Sequence, residues 1–286
     1  MLKLDTIAAV RTYLMPLSRT AKSIGFVPTM GALHEGHRSL MRTAREGCQI
    51  VVVSIFVNPT QFGPGEDFEK YPRPLARDLA VCQEEGVDAV FVPEVGEMYP
   101  ADAVTTVSVA RLTEGLCGRH RPGHFDGVTT VVAKLFNIVQ PDRAYFGQKD
   151  AQQAAVIRQM VRDLNWPIEV VVCPTVREAD GLAMSSRNAY LSPEQRRQAL
   201  CLSQALNWAK GRIEAGQRDV SKLTAAMREQ IEAAGPCEID YIEVVDAETL
   251  EPKASVQGQC LVALAVRIGP ARLIDNVLVD AGDAGR

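Results

Sequence analysis

Short apolar runs alternate with amphipathic stretches from the N-terminal region to about residue 173. The runs lie at residues 23–27, 50–57, 89–92, 104–109, 143–146 and 168–173. Residues 127–139 carry apolar side chains at the helical period and end just before Pro141. Alternation of this kind is typical of a parallel sheet with helices on both faces. We therefore predict an α/β fold with a doubly wound sheet, whose ligands bind beyond the carboxyl ends of the strands.

The pattern changes after Ser192. Ser192 and Pro193 suit the cap and the first position of a helix. The helical period then covers residues 195–215 and 220–234, and shorter apolar runs follow at 238–245, 259–266 and 272–277. We predict a larger domain over residues 1–176 and a smaller C-terminal α+β domain over residues 177–286.

Composition narrows the classes of function. The chain of 286 residues is 47% hydrophobic and has a formal net charge of −4. An acidic chain of this kind is poorly suited to coat nucleic acid or a membrane surface. We therefore expect a small-molecule substrate, with no nucleic-acid partner and no membrane partner.

Cysteine usage and hydropathy bear on the compartment. The seven cysteines have no paired spacing, and no apolar stretch reaches the length of a membrane span. Residues 1–11 lack the basic-then-apolar layout of a signal peptide. These features predict reduced thiols and a cytoplasmic location.

One segment combines a strand end, a tight turn and a helix start with two histidines. An apolar run is followed by Pro28 and Gly31, and His34 and His37 then share one face of the first helical turn. Free backbone N–H groups and the helix dipole stabilise an anion such as phosphate at this point, and Gly36 lets a ligand approach the backbone. A pair of partly buried polar residues, or part of a metal site, is the alternative.

Two later loops carry polar side chains at predicted strand ends. Asn58 and Gln61 both donate and accept hydrogen bonds, which suits a substrate with hydroxyls and a carboxylate, although a surface turn has the same composition. Residues 116–127 combine two arginines and two histidines with glycines. That composition is typical of a mobile basic flap or of an ordinary solvated loop.

Two further segments offer cations and hydroxyls to a phosphate. Lys149 follows a strand and a glycine at the start of a predicted helix, where its charge opposes the dipole, so we interpret it as an anion ligand. Asp150 suits capping at least as well as metal binding, and Gln153 shares the face of Lys149. The Ser-Ser-Arg sequence at 185–187 forms a compact cradle for phosphate oxygens, or an ordinary loop.

Common nucleotide-binding motifs are missing from the sequence. Neither GxGxxG after the first strand nor GxxxxGK[ST] occurs. The HxGH tetrad at 34–37 resembles that of HIGH-motif nucleotidyltransferases. A tRNA synthetase of this superfamily needs an anticodon-binding module and a basic surface, for which this acidic chain leaves little room. A HIGH-type adenylyltransferase and a non-catalytic nucleotide-binding sensor stay open as alternatives.

Longer strings resemble those of pantothenate synthetases. They are PTMGALHEGH from Pro28, NPTQF from Asn58 with ED and YPR after it, RPGHFDGV from Arg121, GQKDAQQ from Gly147 and DGLAMSSRNAYL from Asp180. The last of these is similar to the KMSKS loop of the HIGH-type superfamily. The resemblance ends at about Asn188, and it implies a Rossmann-like doubly wound sheet with a C-terminal domain that covers the active site.

This resemblance implies a reaction. It implies an ATP-dependent ligase that condenses pantoate with β-alanine and releases AMP and pyrophosphate through a pantoyl adenylate. It also implies Mg²⁺ as a cofactor beside ATP, and a homodimer, because members of the family are usually homodimers.

The resemblance implies roles for individual residues as well. Those implied in catalysis are His34, His37, Lys149, Ser185, Ser186 and Arg187. Those implied to contact ATP are Pro28, Thr29, Met30, Gly31, His34, Gly36, His37, Gly147, Lys149, Asp150, Val176, Met184, Ser185, Ser186 and Arg187. Those implied to bind pantoate are Pro28, Met30, Asn58, Gln61 and Gln153. Asp78, after the YPR string, is the implied metal ligand.

Overall fold

The computed structural model describes residues 1–18 and 22–282. Within these residues the strands are β1 Leu2–Leu4, β2 Ile24–Thr29, β3 Ile50–Ile55, β4 Ala89–Phe91, β5 Arg143–Gly147, β6 Glu169–Cys173, β7 Glu238–Asp246, β8 Gln259–Ile268 and β9 Ala271–Asp280. The α-helices are α1 Ile7–Ser18, α2 Glu35–Gly47, α3 Leu75–Glu84, α4 Val95–Met98, α5 Leu116–His120, α6 His124–Val139, α7 Ala151–Asp163, α8 Pro193–Glu214 and α9 Val220–Ala233. Short 3-10 helices lie at Pro59–Gln61, Gln148–Asp150 and Ser186–Tyr190.

The chain divides into two compact units. The first consists of Met1–Ala110, Arg121–Gln148 and Gln153–Pro174, and the second of Arg111–His120, Lys149–Gln152 and the residues from Thr175 onward. The predicted domains, 1–176 and 177–286, assigned residues 111–120 and 149–152 to the first domain. Hydrogen bonds from Gln152 to the carbonyls of Leu112 and Gly115 tie these two segments together, and periodicity along the chain does not reveal such contacts.

The first unit contains a parallel sheet of six strands in the order β1-β4-β3-β2-β5-β6. The central strands β2 and β3 are buried almost throughout, which explains their nearly continuous apolar sequence. Alternate residues of β2 face opposite sides of the sheet: Val27 packs in the core that includes α2 and α3, and Phe26 meets Phe136 of α6 with ring centroids 6.4 Å apart. The predicted doubly wound α/β fold is confirmed.

Residues 104–109 are not a strand, so that part of the prediction is wrong. Threonine hydroxyl groups of α6 form hydrogen bonds with the backbone of this segment instead. The N–H of Val107 donates to Thr130 Oγ1 at 2.9 Å, and the carbonyl of Val107 accepts from the Thr129 hydroxyl at 2.5 Å. The segment therefore lies along a helix, and its Val104 side chain is 93% exposed.

The second unit contains an antiparallel sheet in the order β7-β8-β9, with α8 and α9 packed on one face. Ser192 caps α8 in a capping box with Gln195, and Pro193 occupies the first turn, as predicted. Even-numbered residues of β8 lie in the core between sheet and helices, including Val262, Leu264 and Val266. The predicted α+β arrangement of this region is confirmed.

A search of the described ranges, 1–18 and 22–282, finds no helix that is long and apolar enough to cross a membrane.

Candidate active site

A buried carboxylate shapes the turn that follows β2. Asp78, in the first turn of α3, accepts hydrogen bonds from the backbone N–H groups of Ala32 and Leu33, both at 2.8 Å. Gly31 and Ala32 adopt left-handed conformations, with φ of 78° and 50°. A Cβ atom at Gly31 would lie 2.8 Å from Asp78 Oδ2, so the turn requires glycine there. The carboxylate thus sits over two successive N–H groups, as a bound anion does in a backbone nest.

This position differs from the metal contact implied for Asp78. Burial raises the pKa of Asp78, and the two backbone N–H groups oppose that shift. Both carboxylate oxygens already accept hydrogen bonds, and the residue is 1% exposed. Among the described residues, no group of three or more His, Cys, Asp or Glu side chains is placed to hold a metal ion. We therefore assign Asp78 to the turn, and we derive no step through a metal held by these side chains.

Two imidazoles close the N-terminus of α2. His34 is the N-cap residue, and its Nδ1 accepts a hydrogen bond from the N–H of Gly36 at 3.2 Å. His37 completes a capping box, since its Nδ1 accepts from the N–H of His34 at 3.3 Å. The two ring centroids lie 4.1 Å apart. Because each Nδ1 accepts a hydrogen bond, the proton of each neutral ring lies on Nε2.

An amide cluster orders the loop after β3. Asn58 is 1% exposed, and its Oδ1 accepts a hydrogen bond from the Tyr99 hydroxyl at 2.9 Å. Its amide nitrogen donates to Gln61 Oε1 at 3.1 Å and to the carbonyl of Gly127 at 3.0 Å. Gln61 Nε2 in turn lies 3.0 Å from the Met30 sulfur. The structure thus brings together three residues implied in pantoate binding, with Asn58 holding Gln61 in place.

The start of α6 packs directly against this loop. A Cβ atom at Gly127 would lie 2.4 Å from the carbonyl oxygen of Thr60 and 2.7 Å from Gln61 Cα, both backbone atoms. Any side chain at this position would push the loop away from the helix. Gly127 therefore allows the backbone of Gln61 to pack closely against α6.

We predict that Gly127→Ala lowers the melting temperature. We also predict that it raises KM several-fold for pantoate, the ligand that the sequence strings imply for Gln61, with KM for the implied ATP changed less. The added methyl group displaces the backbone that carries Gln61, and overpacking of this kind costs about 1–3 kcal/mol. Thermal unfolding and steady-state kinetics measure both effects. Gly211→Ala in α8 is the matched control, because a Cβ there meets nothing within 4 Å. Equal behaviour of the two variants would contradict the packing argument.

Arg121 anchors the segment that precedes α6. It donates to both carboxylate oxygens of Glu66 at 2.7 and 2.6 Å and to the carbonyl of Gln61 at 3.2 Å. Partial burial raises the pKa of Glu66, but the hydrogen bonds and charge of Arg121 outweigh this and hold the pKa below its usual value. This ion pair therefore contributes stability above about pH 4.5, the ordinary pKa of the group, and loses it as the pH falls through the lower folded value.

The flap predicted at 116–127 is divided in the structure. Residues 116–120 form α5 within the second unit, where the Cys117 thiol lies 3.2 Å from the Tyr241 hydroxyl. Residues 121–127 belong to the first unit and carry the Arg121 anchor. The predicted flap therefore consists of two segments, each with contacts in its own unit. Its mobility stays a prediction.

Lys149 lies in the second unit, in the 3-10 helix Gln148–Asp150. Its Nζ is 3.5 Å from the Asp150 carboxylate, and its side chain is 19% exposed. The backbone carbonyl of Lys149 accepts a hydrogen bond from the side chain of Asn276 at 2.9 Å. Lys149 and Asp150, both implied to contact ATP, thus form a loose ion pair. The hydrogen bond from Asn276 to the backbone holds the segment that carries them.

The Ser-Ser-Arg sequence follows a short hairpin in the same unit. The N–H of Met184 donates to the carbonyl of Val176 at 3.0 Å, so these two implied ATP contacts lie side by side. Ser185 then caps the 3-10 helix Ser186–Tyr190, and its hydroxyl oxygen accepts from the N–H of Arg187 at 3.3 Å. The predicted cradle is therefore a capped helical turn.

Comparison with known proteins identifies the family. The family model described as pantoate-beta-alanine ligase matches residues 3–278, nearly the whole chain. The chain belongs to the pantoate-beta-alanine ligase family. The resemblance seen in the sequence strings is therefore confirmed, and it extends over the C-terminal region, where no string could be matched.

Individual members of the pantoate-beta-alanine ligase family agree with this assignment. The pantothenate synthetase of Moorella thermoacetica is 60% identical over 280 residues, which cover 98% of this chain and 99% of that protein. A crystal structure of pantothenate synthetase from Thermus thermophilus superimposes with a TM-score of 0.92 at 49% identity, over 97% of this chain and 99% of that one. A pantoate-beta-alanine ligase from Francisella tularensis, whose structure is described as complexed with beta-gamma ATP and beta-alanine, has a TM-score of 0.81 at 34% identity, over 97% of each chain.

The other residues implied by membership of this family lie at the ends of strands and starts of helices in the first unit. Pro28 and Thr29 end β2, and the Thr29 hydroxyl donates to the carbonyl of Ser54 at 2.7 Å. Gly36 lies in the first turn of α2, Gly147 ends β5, and Gln153 is half-buried in α7. Their contacts with ligands remain predictions.

Sequence reasoning missed several residues that support these positions. Tyr99 fixes Asn58, and Asn276 holds the backbone of Lys149. Gly127 lay within a matched string and could have been found there. Tyr99 and Asn276 lie in stretches without a matched string, so the sequence carried no signal for either of them.

Proposed function

We propose that this protein condenses pantoate with β-alanine at the expense of ATP, giving pantothenate, AMP and pyrophosphate. The observation that carries the proposal is the match to pantothenate synthetases over almost the entire chain at up to 60% identity. The Francisella tularensis relative is described with ATP and β-alanine ligands, which supports both substrates here. A plain adenylyltransferase or a nucleotide sensor has no comparable support.

The proposed reaction has two steps. A carboxylate oxygen of pantoate attacks the α-phosphorus of ATP, and the bond from that phosphorus to the bridging oxygen breaks to release pyrophosphate. The β-alanine nitrogen, as the free amine, then attacks the acyl carbon, AMP leaves with the former carboxylate oxygen, and the nitrogen loses a proton to solvent. Neither step requires a covalent bond to the protein. The protein positions two anions that repel each other and stabilises the charge that develops on the phosphates.

The start of α2 is proposed to bind ATP. The Nε2–H groups of His34 and His37 provide donors for phosphate or ribose oxygens, and the positive end of the helix dipole favours an anion at this point. Backbone hydrogen bonds at Nδ1 orient both rings. This geometry lets neutral histidines serve as donors, so the proposal needs no protonated imidazole.

Lys149 and the Ser185–Ser186–Arg187 sequence are proposed to neutralise charge as pyrophosphate forms. A lysine and an arginine supply fixed positive charge, and the two hydroxyls supply donors of adjustable direction. Asp150 limits the positive charge at Lys149 when no substrate is bound, since the two groups lie 3.5 Å apart.

Pantoate is proposed to bind through Gln61 and Gln153, with Pro28 and Met30 as an apolar wall. Asn58 is assigned a supporting role in place of a direct contact, because its amide hydrogens go to Gln61 and to the Gly127 carbonyl. Mg²⁺ is proposed to arrive as the ATP complex, which makes it part of the substrate. A homodimer and a cytoplasmic location complete the proposal, and the seven free thiols suit a reducing compartment.

The decisive experiment is pyrophosphate exchange with β-alanine absent. The protein is incubated with MgATP, labelled pyrophosphate and pantoate, and the label is expected to enter ATP because the first step needs no amine. Hydrolysis of ATP to AMP without β-alanine is expected to be much slower than full turnover, since a shielded adenylate is protected from water.

Three outcomes would contradict the proposal. A nucleotide sensor would show no exchange with any acid, and an adenylyltransferase would exchange only with a phosphorylated substrate. Pyrophosphate that appears only after β-alanine is added would exclude the two-step route, even if pantothenate is the product.

A further inference from the structure

We infer that the consecutive residues Asp275 and Asn276 of β9 are positioning residues for the adenylate-forming step, and that they set Lys149 and the Ser-Ser-Arg sequence relative to each other. The inference rests on the proposed function, because it assumes that these two segments act on the phosphates. Neither Asp275 nor Asn276 falls in any sequence string that resembles the family.

The two residues are buried polar groups in the middle of β9, whose bounds are Ala271–Asp280. Asp275 is 4% exposed and Asn276 is 5% exposed. They pair across the sheet with Leu264 and Ala263 of β8, so apolar residues face them there. Burying a carboxylate and an amide is unfavourable unless each is satisfied, so their partners explain why they are there.

Asp275 holds the hairpin that leads into the Ser-Ser-Arg sequence. Arg177 donates to both carboxylate oxygens of Asp275, at 2.7 and 2.9 Å, in a two-pronged ion pair. Arg177 also donates to the carbonyl of Gly181 at the hairpin turn, at 3.1 Å, and forms an antiparallel bridge with Ala183. The chain reaches Ser185 two residues after Ala183. One ion pair therefore fixes both sides of the hairpin to β9.

Asn276 holds the lysine segment. Its side-chain amide donates to the backbone carbonyl of Lys149 at 2.9 Å. Successive residues of a strand point to opposite faces of the sheet, so Asp275 and Asn276 reach in opposite directions from one point of β9. The N–H of Asn276 also donates to the Asp275 carboxylate at 2.8 Å. This hydrogen bond links the residue that holds the hairpin directly to the residue that holds the lysine segment.

The consequence is that Lys149 and the Ser-Ser-Arg sequence at 185–187, which are distant in the chain, are both held in place by adjacent residues of one strand. A strand paired along its whole length with β8 is a stiff support. If the hydrogen bonds of Asp275 or of Asn276 are lost, one proposed phosphate contact is displaced relative to the other. A displacement of about 1 Å can reduce the rate of a reaction between positioned groups roughly 100-fold.

The test uses Asn276→Leu in the full chain, with pantoate-dependent pyrophosphate exchange as the assay. Leucine has a similar size and cannot donate to the Lys149 carbonyl. Exchange is expected to fall roughly 10- to 100-fold, with KM for pantoate unchanged. In the Lys149→Ala background the same substitution is expected to change exchange by less than about twofold, because a residue that acts through Lys149 has nothing left to position. A merely structural residue would lower the melting temperature and add its effect in both backgrounds.

A second variant tests the ion pair between Asp275 and Arg177. The double substitution Arg177→Met with Asp275→Leu removes both charges together, so that neither is left buried alone. It is expected to reduce exchange to a similar extent in the wild-type background, and to have little further effect when Arg187 is already alanine. Cys260→Ala, which truncates a buried thiol near one end of β8 in the same sheet, is the control and is expected to leave exchange unchanged.

The outcomes separate this inference from the proposed function. If the wild-type protein shows no pantoate-dependent exchange, the proposed function fails. If the wild-type protein exchanges and both β9 variants exchange at its rate, the function stands and the inference is overturned. Additive losses in the Lys149→Ala and Arg187→Ala backgrounds would also overturn it.

Discussion

Replacing Lys149 by alanine is expected to lower turnover by roughly two to three orders of magnitude while the melting temperature stays unchanged. The side chain is 19% exposed and its only ion pair, within the part of the chain described, is the loose one with Asp150, so its removal leaves the fold without a buried unpaired charge. The loss arises because a fixed positive charge no longer meets the charge that develops on the phosphates. Steady-state kinetics and thermal unfolding on the same preparation measure the two quantities.

A matched lysine separates this effect from the general loss of a positive charge. Lys210 in α8 is 46% exposed and lies 3.9 Å from Glu214. Lys210→Ala is expected to change neither turnover nor melting temperature appreciably, because exposed ion pairs contribute only about 0–1 kcal/mol. Turnover of Lys149→Ala close to that of Lys210→Ala would assign Lys149 to the surface and remove it from the proposed mechanism.

Asp78→Ala is expected to lower the free energy of unfolding by about 2–4 kcal/mol and to abolish most activity. The N–H groups of the half-buried Ala32 and the buried Leu33 lose their acceptor, and an unsatisfied buried group costs about 1–3 kcal/mol. Removing a carboxylate from a buried site offsets part of this, since burial opposes its charge. The turn leads directly into His34, so its relaxation is expected to misplace the capping box. Denaturant unfolding and turnover measure the two effects.

Glu84→Ala, at the end of the same helix, is the control for the loss of an acidic residue. The Glu84 side chain is 61% exposed and pairs with Arg38 at the surface. This variant is expected to keep both stability and turnover close to those of the wild type. If Asp78→Ala keeps its stability but loses its response to Mg²⁺, the carboxylate is a metal ligand after all, and its assignment to the turn is wrong.

The fold could be predicted because its central strands are buried on both faces. Strands β2 and β3 show nearly continuous apolar sequence, which polar loops interrupt cleanly. The prediction failed where one face of a segment is exposed. Residues 104–109 alternate between apolar and polar side chains like a strand, but the hydroxyls of Thr129 and Thr130 in α6 form hydrogen bonds with their backbone. The three-residue edge strand β1 is exposed, so the hydrophobic pattern did not predict it.

The sequence strings predict which segments form the candidate site, but the roles of individual residues could not be derived from them. The family resemblance implies a metal contact for Asp78, which follows the YPR string. Its actual partners, two N–H groups, lie about 45 residues earlier in the chain. Asn58 is predicted to contact the substrate because its amide both donates and accepts hydrogen bonds. Hydrogen bonds between distant segments decide such roles, and the local pattern does not contain them.

The histidine capping box gives α2 an uneven stability along its length. Histidine is not among the residues that cap helices best, since serine, threonine, aspartate and asparagine lead that ranking. The middle of the helix is held more firmly, because Leu40, Met41 and Ala44 are buried and Arg38 pairs with Glu85. The first turn of α2 therefore opens at a lower free energy than the rest of the helix. The least stable turn of α2 therefore lies where the two imidazoles are proposed to bind ATP, so a bound anion would stabilise that turn.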